Sequence, residues 1–300
     1  MIKTFGVMST YSPDSRVVAG IEIISRQLDK LLIIDDGSQD SSILDSIAIP
    51  NVEVHKSPTN QGIAHALNQG ISIAVRAGAS FILTLDQDTI PDEGYVQKCK
   101  KLFLESATST RIGLALSDKI NGTPSIPPRY SPESYGLVDE GIQSGMMIST
   151  ECLEEIGNLD ESLFIDCVDT EFCLRARRNN WNIAIVPKTN IQHALGEDLV
   201  FRPFGIRIAK SEQEPTFQAH QPFRQYYISR NNLDLALRLL SSNPKQAARI
   251  VKREIPTHLR AISGGPYRLK QFIATTVGTA HGLIRRRGKI PGWLNSYLQN

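Results

Sequence analysis

Residues 81–88 read FILTLDQD, a short apolar run that ends in two carboxylates separated by one residue. Such a run predicts a strand buried on both faces, because a strand of that kind needs no polar side. Where the strand leaves its sheet, Asp86 and Asp88 should project close together. Paired carboxylates suit Mg²⁺ or Mn²⁺, which also bind phosphate oxygens. An isolated Asp-x-Asp is equally typical of an acidic turn, so the surrounding segments must decide.

The first 120 residues alternate between strand-like and helix-like segments. Strands are predicted at residues 5–8, 31–34, 52–54 and 81–85, and helices at residues 17–28, 63–77 and 91–104. This alternation favours a parallel sheet with right-handed crossovers. We therefore predict an α/β fold with a mostly parallel central sheet flanked by helices. Further along, the predictions are a loop or loose hairpin at 121–132, a strand after 143, short strands at 183–186 and 189–191, and a mobile loop at 199–215.

Polar clusters follow the predicted strands at their carboxyl ends. Thr10 and Tyr11 follow the first strand, Asp36 follows the second, and residues 60–62 (NQG) follow the third. In a parallel sheet these ends share one edge, and ligands bind there. Each cluster alone is explained equally well by a turn or a helix cap. Their convergence with the end of the 81–88 stretch favours a binding site.

The charge is distributed unevenly along the chain. Residues 220–300 contain 14 basic and two acidic side chains, whereas residues 1–219 carry an excess of acidic side chains. Because the pattern also becomes helical from about Gln221, we predict a catalytic domain at 1–219 and a basic helical region at 220–300. A basic region of this kind suggests an anionic partner.

Cysteine usage and hydropathy indicate a cytoplasmic protein. The four cysteines form no Cys-x-x-Cys pair, so the sequence shows no zinc spacing and no disulfide framework. The N-terminus lacks a signal-type apolar stretch, and no run reaches the roughly 18 apolar residues of a membrane span.

The apolar segment 272–284 is only 13 residues long and is followed directly by Arg285, Arg286 and Arg287. Two interpretations are open. The segment is either an amphipathic helix in peripheral contact with an anionic membrane or a helix packed on the protein with a solvated arginine face.

Several motifs, in this order along the chain, resemble those of glycosyltransferase family 2. They are residues 10–13 (TYSP), 35–38 (DDGS), 60–62 (NQG), 85–88 (LDQD) and 168–171 (VDTE). Residues 164–175 and 224–231 are particularly similar to the bacterial rhamnosyltransferases of this family. The resemblance spans most of the chain and implies a GT-A fold, a nucleotide-sugar donor, a divalent metal ion and transfer with inversion at the anomeric carbon.

The resemblance also implies roles for individual residues. It places Asp86, Asp88 and His193 at a bound Mg²⁺ or Mn²⁺, where the metal would stabilise charge on the departing diphosphate. Asp86 could instead contact the ribose, and a lone histidine is as often structural. The other predicted donor-binding residues are grouped by the part of the donor that they would contact. Thr10, Tyr11 and Asp36 would hold the base, and Asn60 and Gly62 would lie along the nucleotide. Gln143, Ser144 and Gly145 would line the sugar pocket, and Arg224, Tyr227 and Arg230 would bind the diphosphate. For the last group, ordinary charge on a helix surface is the alternative.

Asp169 matches the catalytic base of the family. Inversion requires the acceptor hydroxyl to lose its proton as it attacks, and one positioned carboxylate meets that need. Val168 and Glu171 depart from the commoner Glu-Asp-x-Asp motif, which leaves the roles of the flanking acids open, and Asp166 could assist. The alternative is an acidic helix N-terminus that favours the helix dipole.

The function predicted from the sequence is a metal-dependent inverting glycosyltransferase. The expected donor is dTDP-L-rhamnose, and the expected acceptor is a glycan or lipid-linked glycan of a bacterial surface polysaccharide such as O-antigen. A UDP-sugar donor is the nearest alternative, and no nucleic-acid partner is expected. A nucleotidyltransferase usually has a Gly-rich basic loop after its first strand, whereas residues 9–13 contain neither Gly nor Lys. A non-catalytic glycan-binding protein would not need Asp86, Asp88 and Asp169 together.

Overall fold

The computed structural model describes residues 2–194, 196–208 and 214–299. The chain forms two compact units. The first contains Met1–Glu161 and Val168–Ala194, and the second contains Ser162–Cys167 and Leu195–Asn300. The functional boundary expected between residues 219 and 220 stays a prediction.

The first unit is built on an 11-stranded sheet with the order β3-β2-β1-β4-β10-β6-β11-β9-β8, in which β5 pairs with β11 and β7 pairs with β6. Its strands are β1 (Thr4–Thr10), β2 (Lys30–Asp35), β3 (Val52–Lys56), β4 (Phe81–Asp86), β5 (Ile90–Pro91), β6 (Ile112–Ile120), β7 (Thr123–Pro124), β8 (Arg129–Tyr130), β9 (Gly136–Val138), β10 (Met146–Ser149) and β11 (Asn182–Gln192). Its helices are α1 (Arg16–Ser25), α2 (Ser42–Asp45), α3 (Ile63–Arg76), α4 (Tyr95–Glu105), α5 (Thr150–Ile156) and α6 (Val168–Arg178).

The four strands predicted in the first 120 residues pair in parallel with one another. β1 pairs in parallel with both β2 and β4, and β2 pairs in parallel with β3. Every residue of β1 is buried, and in β4 only Asp86 at its end is partly exposed. The apolar runs of β1, β2 and β4 therefore lie inside the sheet, as the α/β prediction requires, whereas β3 is a partly buried edge strand. That prediction is confirmed.

The strand register aligns the carboxyl ends of β1, β2 and β4. In the parallel pairs, Ser9 lies opposite Asp86 and Thr10 lies opposite Asp35. The polar residues that follow β1, β2 and β4 consequently leave the sheet at the same edge.

Two local predictions differ from the structure. Residues 189–191 do not form a separate strand, because β11 runs from Asn182 to Gln192 with an irregularity between Val186 and Asn190. Helix α4 begins at Tyr95 and not at Pro91, because Ile90 and Pro91 pair with the end of β11 and Gly94 adopts a left-handed conformation just before the helix.

The second unit contains a two-stranded sheet and a set of helices. Its elements are β12 (Glu197–Val200), β13 (Thr216–Ala219), α7 (Pro222–Leu239), α8 (Pro244–Gly264), α9 (Arg268–Leu283) and α10 (Gly292–Gln299). The predicted loop at 199–215 includes the end of β12 and a short 3₁₀ turn at Pro203–Gly205, and residues 209–213 lie outside the described part. Within the described residues, every helix is too short or too polar to cross a bilayer.

Helix α9 packs closely on α7 because it presents glycine to it. A Cβ at Gly278 would lie 2.5 Å from the carbonyl oxygen of Tyr226, and a Cβ at Gly282 would lie 2.7 Å from that of Arg230. Both contacts are with backbone atoms, which cannot move aside as a flexible side chain would. The spacing of the two helices therefore depends on these glycines.

We expect Gly278→Ala to lower the free energy of unfolding by about 1–3 kcal/mol, because the added methyl overpacks the α7–α9 contact. Chemical denaturation measures this change. The matched control is Gly292→Ala, since a Cβ there meets nothing within 4 Å. Equal stability of the two variants would contradict the packing explanation.

Candidate active site

The carboxylates at the end of β4 meet a histidine from the end of β11. Asp86, Asp88 and His193 each offer a ligand atom, and these atoms all lie within 4.8 Å of one another. The Nδ1 atom of His193 lies 3.2 Å from Oδ1 of Asp88. Residues more than 100 positions apart in sequence thus form one cluster of two oxygen donors and one nitrogen donor.

His193 is fixed through both its backbone and its ring. Its backbone N–H donates to Oδ1 of Asn121 at 2.9 Å, and its carbonyl accepts from Nδ2 of Asn121 at 2.7 Å. Its Nδ1 also lies 2.7 Å from Oγ1 of Thr89, a fully buried hydroxyl. The side chain is therefore held from two directions before any ligand binds.

Thr89 connects His193 to the strand that carries Asp86. The backbone N–H of Asp86 donates to Oγ of Ser144 at 2.8 Å, and that hydroxyl lies 2.6 Å from Oγ1 of Thr89. A hydrogen-bond chain thus runs from Asp86 through Ser144 and Thr89 to His193. Such a chain fixes the distance between the carboxylate and the imidazole.

Asp86 lies in an environment that disfavours its negative charge. Burial raises the pKa of Asp86 to about 6, and the negative charges of Asp88 and Asp169 act in the same direction. The charge of His193 and a hydrogen bond from Nε2 of Gln143 to Oδ1 of Asp86 oppose this shift.

The residues fit a divalent cation. Carboxylate oxygens and an imidazole nitrogen suit Mn²⁺, and carboxylate oxygens suit Mg²⁺. Nδ1 of His193 is the ring nitrogen that lies near Asp88 and Thr89, and the tautomer decides whether it donates a proton to them or offers its lone pair to a cation. A cation would also offset the repulsion between the two carboxylates and favour the ionised form of Asp86.

The Gln143–Gly145 turn is bound to β4. The carbonyl of Gln143 accepts from Oγ1 of Thr84 at 2.6 Å, and the N–H of Gly145 donates to the carbonyl of Thr84 at 2.8 Å. Gly145 has a φ of 81°, which favours glycine. Gln143 is 7% exposed, and among the described residues its Oε1 has no hydrogen-bond partner. A buried acceptor therefore lies beside the carboxylate of Asp86.

The predicted nucleotide loops meet around Asp36. Its two carboxylate oxygens accept from the backbone N–H groups of Gln61 and Gly62, each at 2.8 Å. A Cβ at Gly37, which has a φ of 71°, would lie 2.3 Å from the backbone of Thr59, so only glycine fits between the loops. Asp36 therefore orders the loop that contains Asn60 and Gly62, and its predicted contact with a base stays a prediction.

Tyr11 is the exposed aromatic residue of this edge. Its side chain is 52% exposed, while its backbone N–H donates to Oε1 of Gln87 at 2.9 Å. Thr10, by contrast, is buried and donates from Oγ1 to Asp35 at 3.2 Å. An exposed ring on a fixed backbone can stack on a planar ligand, whereas Thr10 mainly supports the loop.

Asp169 lies in the first turn of α6, and its Oδ1 accepts from the backbone N–H of Thr170 at 2.8 Å. The neighbouring acid has a structural partner. Glu171 accepts from Nε of Arg175 at 2.9 Å, and Arg175 also donates to the carbonyls of Ile156 and Asn158. Glu171 thus holds the arginine that donates to backbone carbonyls at the end of α5, and the roles of the flanking acids in the reaction stay open.

The predicted diphosphate residues lie in the second unit and have partners there. Arg224 donates from Nη2 to Asp166 at 2.6 Å. Arg230 is 1% exposed and donates to the carbonyls of Leu163 and Gly288. The hydroxyl of Tyr227 accepts from the backbone N–H of Ile290 at 2.8 Å. These contacts stabilise the second unit, and a role at the diphosphate stays a prediction for all three residues.

Solved structures with the same architecture are glycosyltransferases of the GT-A fold. S. aureus TarS 1-349 in complex with UDP-GlcNAc matches with a TM-score of 0.59 and 15% identity, over 99% of this chain and 84% of that chain. GalNAc-T7 with UDP, GalNAc and Mn²⁺ matches with a TM-score of 0.53 and 13% identity, over 64% of this chain and 44% of that chain. These similarities establish the fold.

Sequence comparison then identifies the family. Residues 7–132 match glycosyl transferase family 2, and the chain contains a domain of that family. The dTDP-rhamnosyl transferase RfbF of Shigella flexneri is 28% identical over 242 residues, which cover 76% of this chain and 77% of that protein. The low-salt glycan biosynthesis hexosyltransferase Agl10 of Haloferax volcanii is 25% identical over 223 residues, or 67% of each protein. The family prediction is confirmed.

Sequence reasoning missed Thr89 and Asn121. Thr89 follows Asp88 directly, and a hydroxyl next to a candidate metal ligand is a weak signal that could have been noted. Asn121 begins a segment predicted as a loop or loose hairpin, and nothing in its local sequence indicates a contact with His193, 72 residues away.

We expect Thr89→Val to weaken Mn²⁺ binding about 10- to 100-fold, because His193 loses the hydroxyl that orients its ring. Thr89→Ser keeps the hydroxyl and should bind Mn²⁺ almost as tightly as the unmodified protein. Electron paramagnetic resonance of free Mn²⁺ during a titration measures affinity without any turnover. Equal affinity of the Val and Ser variants would show that Thr89 does not support the site.

Proposed function

We propose that this glycosyltransferase is a metal-dependent, inverting enzyme that uses a nucleotide-sugar donor. The observation that supports this best is the cluster of Asp86, Asp88 and His193, together with the electrostatic influence of Asp169 on Asp86. Metal-ligand groups and a separate carboxylate in one neighbourhood are what the reaction needs, since one end of the donor must be held while the acceptor loses a proton.

We assign the diphosphate end of the donor to the metal cluster. A divalent cation bound there supplies positive charge that stabilises the departing diphosphate. The protein's own contribution is to keep the ligands in place. Gln143 orients Oδ1 of Asp86, and Thr89 orients the His193 ring. Hydrogen bonds to a charged group of this kind contribute about 1.5–3 kcal/mol each.

We assign the role of catalytic base to Asp169. An acceptor hydroxyl has a pKa far above neutrality, so it needs a carboxylate within hydrogen-bond reach to take its proton as the new glycosidic bond forms. The hydrogen bond from the N–H of Thr170 stabilises the charged carboxylate and fixes its direction. The diphosphate would leave from the face of the anomeric carbon opposite to the attacking hydroxyl, which gives inversion.

We assign the nucleoside to the loops around Asp36 and the sugar to the Gln143–Gly145 turn. Tyr11 would stack on the base, while Asp36 keeps Asn60 and Gly62 in position along the nucleotide. The buried Oε1 of Gln143 would accept a hydrogen bond from a sugar hydroxyl, with Ser144 and Gly145 forming the adjoining wall. Satisfying that acceptor would favour binding, because a buried polar atom without a partner costs about 1–3 kcal/mol.

We propose dTDP-L-rhamnose as the donor. The Shigella flexneri relative is described as a dTDP-rhamnosyl transferase, and its alignment covers three quarters of both chains. A UDP-sugar is the alternative, because the TarS structure contains UDP-GlcNAc and the GalNAc-T7 structure contains UDP. The acceptor would be a glycan or lipid-linked glycan of a surface polysaccharide such as O-antigen in the cell envelope. A lipid-linked acceptor would bring the enzyme to the cytosolic face of the membrane, which suits its basic C-terminal region.

We expect Asp169→Asn to reduce kcat by about 10²- to 10⁴-fold, because the amide cannot accept the hydroxyl proton. Donor binding should change little, since the amide keeps the shape of the side chain. Steady-state assays measure kcat, and isothermal titration with the nucleoside diphosphate and Mn²⁺ measures binding.

The control for this variant is Glu171→Gln on the same helix. It should lower thermal stability by weakening the contact with Arg175, while kcat of the folded enzyme stays near that of the unmodified protein. Full activity of Asp169→Asn, or an equal loss of kcat in both variants, would remove Asp169 as the base.

A thermal-shift panel of nucleotide sugars identifies the donor. Ligands that bind the folded state raise the midpoint of unfolding by mass action. We expect the largest Mn²⁺-dependent shift with dTDP-L-rhamnose, a similar shift with dTDP, and smaller shifts with UDP-GlcNAc and UDP-galactose. A larger response to the uridine compounds would reject rhamnose, and no response to any nucleotide sugar would reject the proposed donor class.

A further inference from the structure

The helical part of the second unit exposes almost no negative charge. Between residues 221 and 299 the acidic side chains are Asp234 and Glu254. Both are buried, and each has an arginine partner, Arg238 for Asp234 and Arg253 for Glu254. The exposed side chains of this segment are therefore basic or uncharged, which makes the surface complementary to an anionic one.

Helix α8 combines this charge with an exposed apolar stripe. Val251, Ile255 and Leu259 are 41%, 53% and 61% exposed and lie on successive turns of one face. The adjoining side of the helix buries Ile250, Glu254 and Ala261, among other residues. The stripe is thus additional to the face that packs against the protein.

Basic side chains border the stripe along its whole length. Lys245, Arg249, Lys252 and Arg260 are all exposed and occupy the rows next to it. A helix with apolar side chains beside long basic ones can lie in the interface of an anionic bilayer, where its apolar side chains enter the acyl boundary and its cations remain among the headgroups.

Helix α9 contains most of the apolar segment 272–284 that the sequence analysis considered for membrane contact. Its exposed surface differs from that of α8. One face, with Ala274, Gly278 and Gly282, is buried. Its outer face carries Leu269 and Phe272 at one end and Leu283 at the other, with the small residues Thr276 and Ala280 between them. Its basic residues lie only near the two ends. The apolar stripe of α9 is therefore interrupted, and positive charge does not run beside it.

We propose that the second unit docks on an anionic lipid surface through α8, with Val251, Ile255 and Leu259 entering the bilayer interface. This deepens the membrane contact proposed for the basic region and identifies the helix that makes it. An apolar stripe with cations beside it suits lipid better than nucleic acid, because phosphate backbones are bound by charge without apolar insertion. Each cation near such a surface adds about 1 kcal/mol of attraction, and the attraction falls with salt.

Flotation with lipid vesicles tests this proposal. The full chain should bind vesicles of phosphatidylglycerol and phosphatidylcholine and should not bind phosphatidylcholine alone. We expect the double variant Ile255→Ser, Leu259→Ser to bind the anionic vesicles at least about tenfold more weakly, because it loses apolar area that enters the bilayer. Both positions are exposed, so the fold should be unaffected, and circular dichroism with a melting curve checks this.

Two matched variants complete the experiment. Leu104→Ser with Ile126→Ser removes two exposed apolar side chains from the first unit and should leave vesicle binding unchanged. Phe272→Ser with Leu283→Ser removes the outer apolar residues of α9 and should have a smaller effect than the α8 pair.

Three results would overturn the assignment. One is normal vesicle binding by the α8 serine variant. Another is a loss of binding caused only by Lys252→Glu and Arg260→Glu, which would mean a purely electrostatic surface of the kind that binds nucleic acid. The third is a change of oligomeric state in the α8 variant, seen by size exclusion with light scattering, which would make the stripe a contact between copies of this chain. No donor or acceptor is needed, so failure here would leave the proposed transferase activity untouched.

Discussion

The parallel pairing of β1 with β2 and β4 is the constraint on which the candidate site depends. Because Ser9 lies opposite Asp86 and Thr10 lies opposite Asp35, three strands deliver their polar ends to one edge. The apolar side chains behind that edge are almost completely buried, so the register cannot slip by one residue without turning them toward the opposite face. The energy of the core thereby fixes the position of carboxylates that would otherwise repel one another.

The antiparallel strand β10 completes this edge. Its preceding turn reaches β4 through Thr84, and the same turn supplies Gln143 and Ser144 to the two sides of Asp86. Burial makes the charge of Asp86 costly, which is why its pKa rises, and the surrounding donors reduce that cost. A site of this kind is poised to gain from a cation, since the ion supplies the positive charge that the protein itself provides only in part.

In the second unit, two helices of similar composition differ in which of their apolar residues are buried. In α9, glycine and alanine allow close approach to α7. In α8, branched apolar side chains stay outside beside a row of cations. Both helices are basic and partly apolar in sequence, yet only the packing shows which apolar residues are covered. We propose that an anionic lipid surface covers the apolar stripe of α8, because such a surface matches the positive charge beside the stripe.

Local sequence determined the strands of the parallel sheet and the acidic residues at their ends. Short apolar runs such as residues 31–34 and 81–83 are typical of a strand covered on both faces, and a parallel sheet collects the ends of such strands at one edge. Only the tertiary structure revealed Thr89 beside His193, 104 residues away, and Asn121 bound to the backbone of the same histidine. It also showed that Glu171 accepts a hydrogen bond from Arg175, and that the exposed apolar stripe lies on α8. Hydrogen-bond partners and exposed faces depend on distant segments coming together, and no local periodicity encodes that.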